Sequence, residues 1–261
     1  MRIGITERGD AGLDLSWLEK TNACDGMILI TKNANDRFAG AVMELRAKNF
    51  PCVVHATCTG WGGTRLEPFV PRPSEQIANV MRLVGMGFPQ ENIVLRIDPI
   101  IPTERGLTAV GNLVRYAAAH GLDFDKTRIR ISVLDEYRHV KDRMVRRGLP
   151  TVYPAGQFQA SPANFAYVHG RLATVRDAMK NEFGTDLKFR CCAEPMLDDP
   201  DLFIHTGCVS AEDLRLMGLP EIESGTNPQN RNGCECLSCK YELLENRHPC
   251  AHSCVYCYWK G

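Results

Sequence analysis

The stretch MILITKNANDRFAGAVMELRAKNFPCVVHAT, residues 27–57, reads as a strand, a helix and a second strand. Met27 to Thr31 and Cys52 to Thr57 are short apolar runs rich in β-branched residues, while Asp36 to Lys48 repeats its apolar positions at helical spacing. Two such runs joined by a helix form a parallel pair with a right-handed crossover. The alternation continues on both sides. Further strands are expected at Arg2 to Ile5, Ile93 to Ile97, Arg128 to Val133 and Leu187 to Cys191. Helices are expected at roughly Asp14 to Lys20, Ser74 to Met86, Leu107 to His120, Glu136 to Arg147, Pro162 to Phe183 and Ala211 to Met217. Hairpin signals are nearly absent, so the pattern predicts an α/β fold with a parallel sheet, a (β/α)6-type barrel or partial barrel. From about Pro220 the composition shifts to Gly, Asn, Pro and Cys. The chain therefore divides into a partial barrel over 1–219 and a cysteine-rich cap over 220–261 that completes it.

The 261 residues are 44% hydrophobic and 24% charged, the composition of a folded globular chain rather than a disordered or collagenous one. Thirty-one basic residues balance thirty-one acidic ones, which argues against holding nucleic acid through bulk charge. No run reaches the roughly 18 apolar residues that span a bilayer, and MRIGITERGD lacks a signal-peptide core, so a cytoplasmic location without membrane contact is expected. In that reducing setting twelve cysteines point to metal or catalysis rather than disulfides.

Cys250, Cys254 and Cys257 follow CxxxCxxC spacing within one short loop, CAHSCVYCYWKG. Three thiolates can hold three irons of a 4Fe-4S cube and leave the fourth open to a small molecule. They can equally join His252 or His248 around zinc. At strand C-terminal ends, where such folds keep their chemistry, stand Thr6, Glu7, Arg8 and Asp10, then Lys32, His55, Thr57, Arg96, Asp98, Ser132, Asp135, Arg190 and Glu194. GWGG at 60–63 reads as a flexible turn, and Arg143, Arg146 and Arg147 as a solvated basic helix end. Cys24, Cys52 and Cys58 read as small buried hydrophobes, and Cys191 as a strand residue facing away from Cys192.

The cysteine loop, with Tyr256 before its last cysteine and Tyr258 after it, resembles the cluster-binding loop of the radical S-adenosylmethionine (SAM) superfamily, and ENRHPCAHSCVYCYW is similar to that of its spore photoproduct lyase-like branch. ILITKN at 28–33 and RLEPFVPRPSEQIANVMRLVGMGFPQENIVLRIDPIIP at 65–102 resemble that branch's Thr-Lys strand, LEP segment and PIIP strand. The order TERGD, ITKNAN, RIDPIIP, ISVLDEY, CCAEP, GCVS, GCEC, CAHSCVYCY resembles a family with a radical-SAM-like cysteine cluster at the C-terminus. The superfamily's loop follows the first barrel strand, near the N-terminus. The resemblance therefore implies a circularly permuted barrel, in which Tyr241 to Leu244 precedes the cluster and Arg2 to Ile5 is the second strand.

It further implies an enzyme in which a 4Fe-4S cluster on Cys250, Cys254 and Cys257 reductively cleaves SAM to a 5′-deoxyadenosyl radical that abstracts hydrogen from a small-molecule or nucleotide-type substrate. A reductant such as flavodoxin or ferredoxin would supply the electron. Lys32 would pair with the SAM carboxylate; His55, Thr57, Arg96 and Tyr256 would contact SAM or substrate. Glu67, Asp135 and Glu194 are candidates for handling substrate or protons. Cys192, Cys208, Cys234 and Cys236, with Cys239 as a substitute, would hold an auxiliary 4Fe-4S cluster or a structural zinc. Two other readings compete: a divalent-metal hydrolase or isomerase using His55, Asp98, Asp135 and Glu194, and a zinc-binding recognition module attached to an inert barrel.

Overall fold

Alternation along each strand sorts the sheet into two faces. On the third strand Val54 and Ala56 join the large core beneath the helices, whereas Val53 joins a smaller cluster on the opposite face. The computed structural model describes residues 1–222, 234–244 and 250–258. Its strands are β1 (Ile3–Ile5), β2 (Gly26–Thr31), β3 (Cys52–Thr57), β4 (Ile93–Ile100), β5 (Arg128–Val133), β6 (Phe189–Cys191), β7 (Phe203–His205) and β8 (Lys240–Glu242). They form one eight-stranded sheet in the order β7-β6-β5-β4-β3-β2-β1-β8, and every pairing is parallel.

The helices are α1 (Asp36–Ala47), α2 (Pro73–Gly85), α3 (Glu104–Ala119), α4 (Arg138–Arg146), α5 (Pro162–Phe183) and α6 (Ala211–Leu216). Local chemistry sets their starts. Asn35 accepts the Phe38 N–H at the head of α1, and Ser161 with Asn164 forms a reciprocal cap for α5. The apolar stripes of α1, α2, α3 and α5 cover the outer face of the sheet through residues such as Phe38, Ile77, Val114 and Leu172. Helix α6 lies against the inner face with Leu214. Helix α4 packs Val140 and Met144 against Val255 and Tyr256 of the cysteine loop.

The α/β class and parallel order agree with expectation, but the strand count and several ends do not. β7 was not expected: of its three residues only Phe203 is buried, so no apolar run marks it. β8 lies one residue earlier than expected and ends two residues sooner. The helix expected at Asp14 to Lys20 is a 3-10 segment, Ser16–Ala23, with no capping side chain at Leu15. Helix α4 begins at Arg138 rather than Glu136, because the fully buried Glu136 carboxylate accepts the N–H groups of Val152 and Tyr153 at 2.8 and 3.0 Å. β7 and β8 are the outer strands of the sheet, and closure into a barrel is not seen among the described residues. No described helix is long and apolar enough to cross a membrane.

β8 pairs with β1, so the last strand in the chain is the neighbour of the first. Glu242 ends this strand and accepts N–H groups from Glu7, Arg8 and Leu244 at 3.0–3.1 Å. Burial, helped by the Glu7 charge and opposed by those N–H groups, pushes its carboxyl from 4.5 up to about 7. The folded state thus keeps a proton that the unfolded chain has released, and stability from this group falls as pH rises from 4.5 to about 7. Glu242→Gln is expected to gain stability over the native chain across that window and to hold the gain above it. Urea unfolding at a series of pH values checks this; a gain confined to the acid side would contradict it.

Candidate functional site

At the C-terminal end of β2, backbone direction turns Lys32 toward the cysteine loop. Its Nζ lies 2.8 Å from Glu67 Oε1 and 2.9 Å from the Tyr256 hydroxyl, which itself donates to Glu67. Glu67 is wholly buried, and its Oε2 has no partner among protein atoms. Burial works against the Lys32 charge, but Glu67 and the Cys254 sulfur outweigh it and hold the ammonium firmly protonated. The sequence separates these residues by up to 224 positions; the fold knots them together.

The same LEP segment braces the loop along its length. Leu66 O accepts the Val255 N–H at 2.9 Å, and Phe69 O lies 3.2 Å from His252 Nδ1. The other ring nitrogen of His252 is 3.0 Å from Asp10 Oδ2. Both partners only accept, so the ring satisfies both contacts as an imidazolium. Burial opposes that charge, but Asp10 raises the His252 pKa over it, and His252 in turn helps to lower that of Asp10. His252 is therefore spent on the scaffold. The expectation that it could complete a zinc site is corrected by this geometry, and His248 lies outside the described residues. Asp10 also accepts from Thr31 Oγ1 and the Lys32 N–H, both at 2.7 Å, which ties the loop to the end of β2.

Arg143 corrects a second expectation. It does not face solvent: its guanidinium donates to Val255 O at 2.9 Å and to Cys257 O, while His139 on the same helix reaches Tyr258 O at 3.1 Å. Trp61 of the GWGG turn is buried against Val255 and Tyr256, so that turn forms the loop's bed. Gln76 joins the end of β2 to the end of β3, donating to Lys32 O and Thr57 O at 2.8 Å. Nothing in residue type or spacing showed what Arg143, Asp10 or Gln76 would hold; the partners named here are 19 to 242 positions away in the chain.

Cys254 is buried enough that its thiol is pushed up to about 12, Lys32 opposing and Glu67, Cys250 and Cys257 adding to the rise. One ammonium, Lys32, thus acts on Cys254 together with the two other loop thiols, although the three loop sulfurs do not all lie within 4.8 Å of one another. Ser253, between His252 and Cys254, holds a left-handed φ of 50°, which turns the loop sharply at its centre.

The inner face of the sheet carries an unusual polar layer. His55 is fully buried with both ring nitrogens unpartnered, and Thr57 Oγ1 is likewise unpartnered. Burial, and then Arg130, Arg96 and Arg128, drive the His55 pKa well down, so its ring is neutral. Arg96 pairs with Asp98, with Nε at 2.8 Å, and Asp98 also accepts from Ser132. Arg128 pairs with Asp213 at 2.7 Å, and Arg190 grips Glu212 with two bonds at 2.8 and 2.9 Å.

Above this layer Cys192, Cys234 and Cys236 bring three sulfurs within 4.8 Å of one another. The Cys208 N–H donates to Cys236 Sγ at 3.1 Å, and the Cys208 sulfur acts on those of Cys192 and Cys236 from outside that group of three. Cys239 stands apart at the foot of β8, beside the Ile3 backbone, so the expected substitute ligand is not part of the group. Cys191 packs into the outer core while Cys192 joins the inner cluster, as strand alternation requires. Cys52 and Cys58 are buried in the core, the latter donating to Gln76 Oε1, and Cys24 is partly buried.

The competing divalent-metal set is not assembled. Asp98 is engaged by Arg96 and Ser132, Glu194 Oε1 accepts the Val133 N–H at 2.9 Å, and Asp135 lies beside the Tyr137 hydroxyl at 3.4 Å. Among the described residues, the one group of three or more potential ligands with its donor atoms this close is the cysteine group. Asp135 and Glu194 both act on Tyr153, raising its pKa behind burial, whereas Glu67 belongs to the Lys32 knot.

A family model described as a domain of unknown function (DUF1848) matches residues 16–259, and so covers both cysteine groups and the whole sheet apart from β1. No curated protein matches the chain.

Proposed function

The chain belongs to the DUF1848 family, and from that footing we propose that it is a radical SAM enzyme whose 4Fe-4S cluster is held by Cys250, Cys254 and Cys257. The observation that carries the reading is the docking of the CxxxCxxC loop at the C-terminal edge of a parallel sheet, beside Lys32, Glu67 and Tyr256. The donor set fits such a cluster: three partly buried thiols in one short loop, and no histidine free to complete a four-ligand zinc site among the described residues. The strand order supports a circular permutation. Read in space from β8, the sheet runs β8, β1, β2, β3, β4, β5, β6, β7, with the cysteine loop after its first strand.

When bound, the cluster and SAM supply one-electron reductive cleavage and hydrogen-atom abstraction from a substrate. The protein's own residues bind and shield. Lys32 presents a fixed cation to the SAM carboxylate, and Glu67 with Tyr256 keeps that ammonium from swinging away. His55 and Thr57, buried with unused hydrogen-bonding atoms, and Arg96 line the inner face, where they orient SAM and substrate. Asp135 and Glu194, just beyond β5 and β6, are the acids assigned to substrate or protons in this reading. The substrate is a small molecule or a nucleotide-type compound, the reductant a flavodoxin or ferredoxin, and the setting a reducing cytoplasm, which suits twelve free cysteines.

Anaerobic reconstitution with iron and sulfide, followed by an assay for 5′-deoxyadenosine from SAM with dithionite, tests the proposal. A brown protein that forms the nucleoside is the expected result. A protein that binds iron yet leaves SAM intact, or that takes up no iron at the loop, overturns it.

A further inference from the structure

Cys192 and Cys234 place their sulfurs 3.8 Å apart. Four thiolates around one zinc ion, with Zn–S about 2.3 Å, form a tetrahedron whose edges are about 3.8 Å. A 4Fe-4S cube instead seats each thiolate on its own iron, which spreads the sulfurs well beyond that spacing. With Cys192, Cys234 and Cys236 all within 4.8 Å and Cys208 set against them by its N–H on Cys236 Sγ at 3.1 Å, the space between the sulfurs suits a single ion.

The chain origins of the four cysteines give the ion its purpose. Cys192 directly follows β6, Cys208 follows β7, and Cys234 and Cys236 precede β8. β7 and β8 are the two outer strands, so the four ligands come from opposite edges of one sheet. The edges already touch here: Leu237 N–H donates to Val209 O at 3.0 Å, and Cys208 N–H points to Cys236 Sγ at 3.1 Å. Gly207 permits that approach, since a Cβ at this position would collide with the Cys236 backbone. Ala193, next to Cys192, holds a left-handed φ of 58°.

We propose that Cys192, Cys208, Cys234 and Cys236 hold one zinc ion that clasps the two edges of the sheet across its open side. Zinc with four thiolates carries two net negative charges, and the buried inner face meets them with arginines. Arg96 reaches Cys208 Sγ at 3.5 Å, and Arg130 holds the turn before it through Thr206 O and Gly207 O. Cys192, Cys208 and Cys236 are buried, and four protein ligands leave no open position, so the site is closed to substrate and braces the fold. The clasp does not depend on the radical SAM reading, because its metal is counted separately from the iron at Cys250, Cys254 and Cys257.

The test is metal and sulfide analysis of the full chain, purified without oxygen from cells supplied with zinc and iron, then reconstituted with iron and sulfide. One zinc beside about four irons per chain is expected. Cys236→Ser should lose the zinc and keep the iron, and Cys254→Ala should do the reverse. Should Cys236→Ser fail to fold, cobalt substitution of the native chain serves instead: one cobalt with tetrahedral visible bands and strong thiolate charge-transfer absorption is expected. Roughly eight irons with no zinc, zinc retained in a folded Cys236→Ser, or cobalt bound without the thiolate signature would each overturn the clasp.

Discussion

Cys254→Ala abolishes 5′-deoxyadenosine formation and removes about four irons per chain, while circular dichroism stays that of the native fold. The effect on activity is expected to be complete, because a cube held by three thiolates has no spare protein ligand. The fold should survive, since the loop is seated by contacts that do not involve this sulfur. Leu66 O, Phe69 O, Asp10 and Arg143 grip Val255, His252 and Cys257 through backbone atoms and a buried ring. Taking away a thiol that burial keeps protonated in the metal-free chain also leaves no uncompensated charge behind. Iron content and nucleoside formation measured on the same sample separate the outcomes. Native iron with native cleavage in the variant would remove Cys254 from the ligand set.

Lys32→Met is expected to cost about 3 kcal/mol of stability, the scale for removing one partner of a buried ion pair. Glu67 is fully buried and would lose its cationic partner, left with only the Tyr256 hydroxyl beside it and its second oxygen already lacking a partner. The double variant Lys32→Met with Glu67→Gln should recover most of the loss, because the charge left stranded by the first change is gone. Denaturant unfolding of the native chain and the three variants gives the coupling. A single variant within about 0.5 kcal/mol of native would mean that the knot adds little. SAM binding adds an independent readout. The double variant should remain weak in SAM binding although its stability returns, since the cation facing the SAM carboxylate is still missing.

Much of the architecture was legible because it is periodic. Helix α5 was expected at Pro162 to Phe183 and is found there, with a proline in its first turn, a serine cap before it and Gly184 at a φ of 73° after it. The strands from β2 to β5 carry long enough apolar runs to declare themselves. β7 buries only Phe203 of its three residues and stays silent, and α4 starts two residues late behind a glutamate whose partners are backbone N–H groups in a later loop. The site divides in the same way. Cysteine spacing announced the CxxxCxxC loop, because ligands from one short loop must be close in sequence. The second group draws on three separate segments, and its members could be named but its donor distances could not.

What the sequence alone determined is therefore local: element type, the parallel order that follows from strand–helix alternation, and the identity of the thiols. Tertiary structure decided the rest. Arg143 became a clamp on Val255 and Cys257, His252 became an imidazolium spent on Asp10, and Cys239 was left out of the group that Cys192, Cys234 and Cys236 form. The reason is physical. Periodicity records which face of an element is apolar, but the partner of a buried polar group is set by what the fold carries to within about 3 Å of it. For Lys32, Asp10 and Arg143 that partner lies more than 100 residues away in the chain.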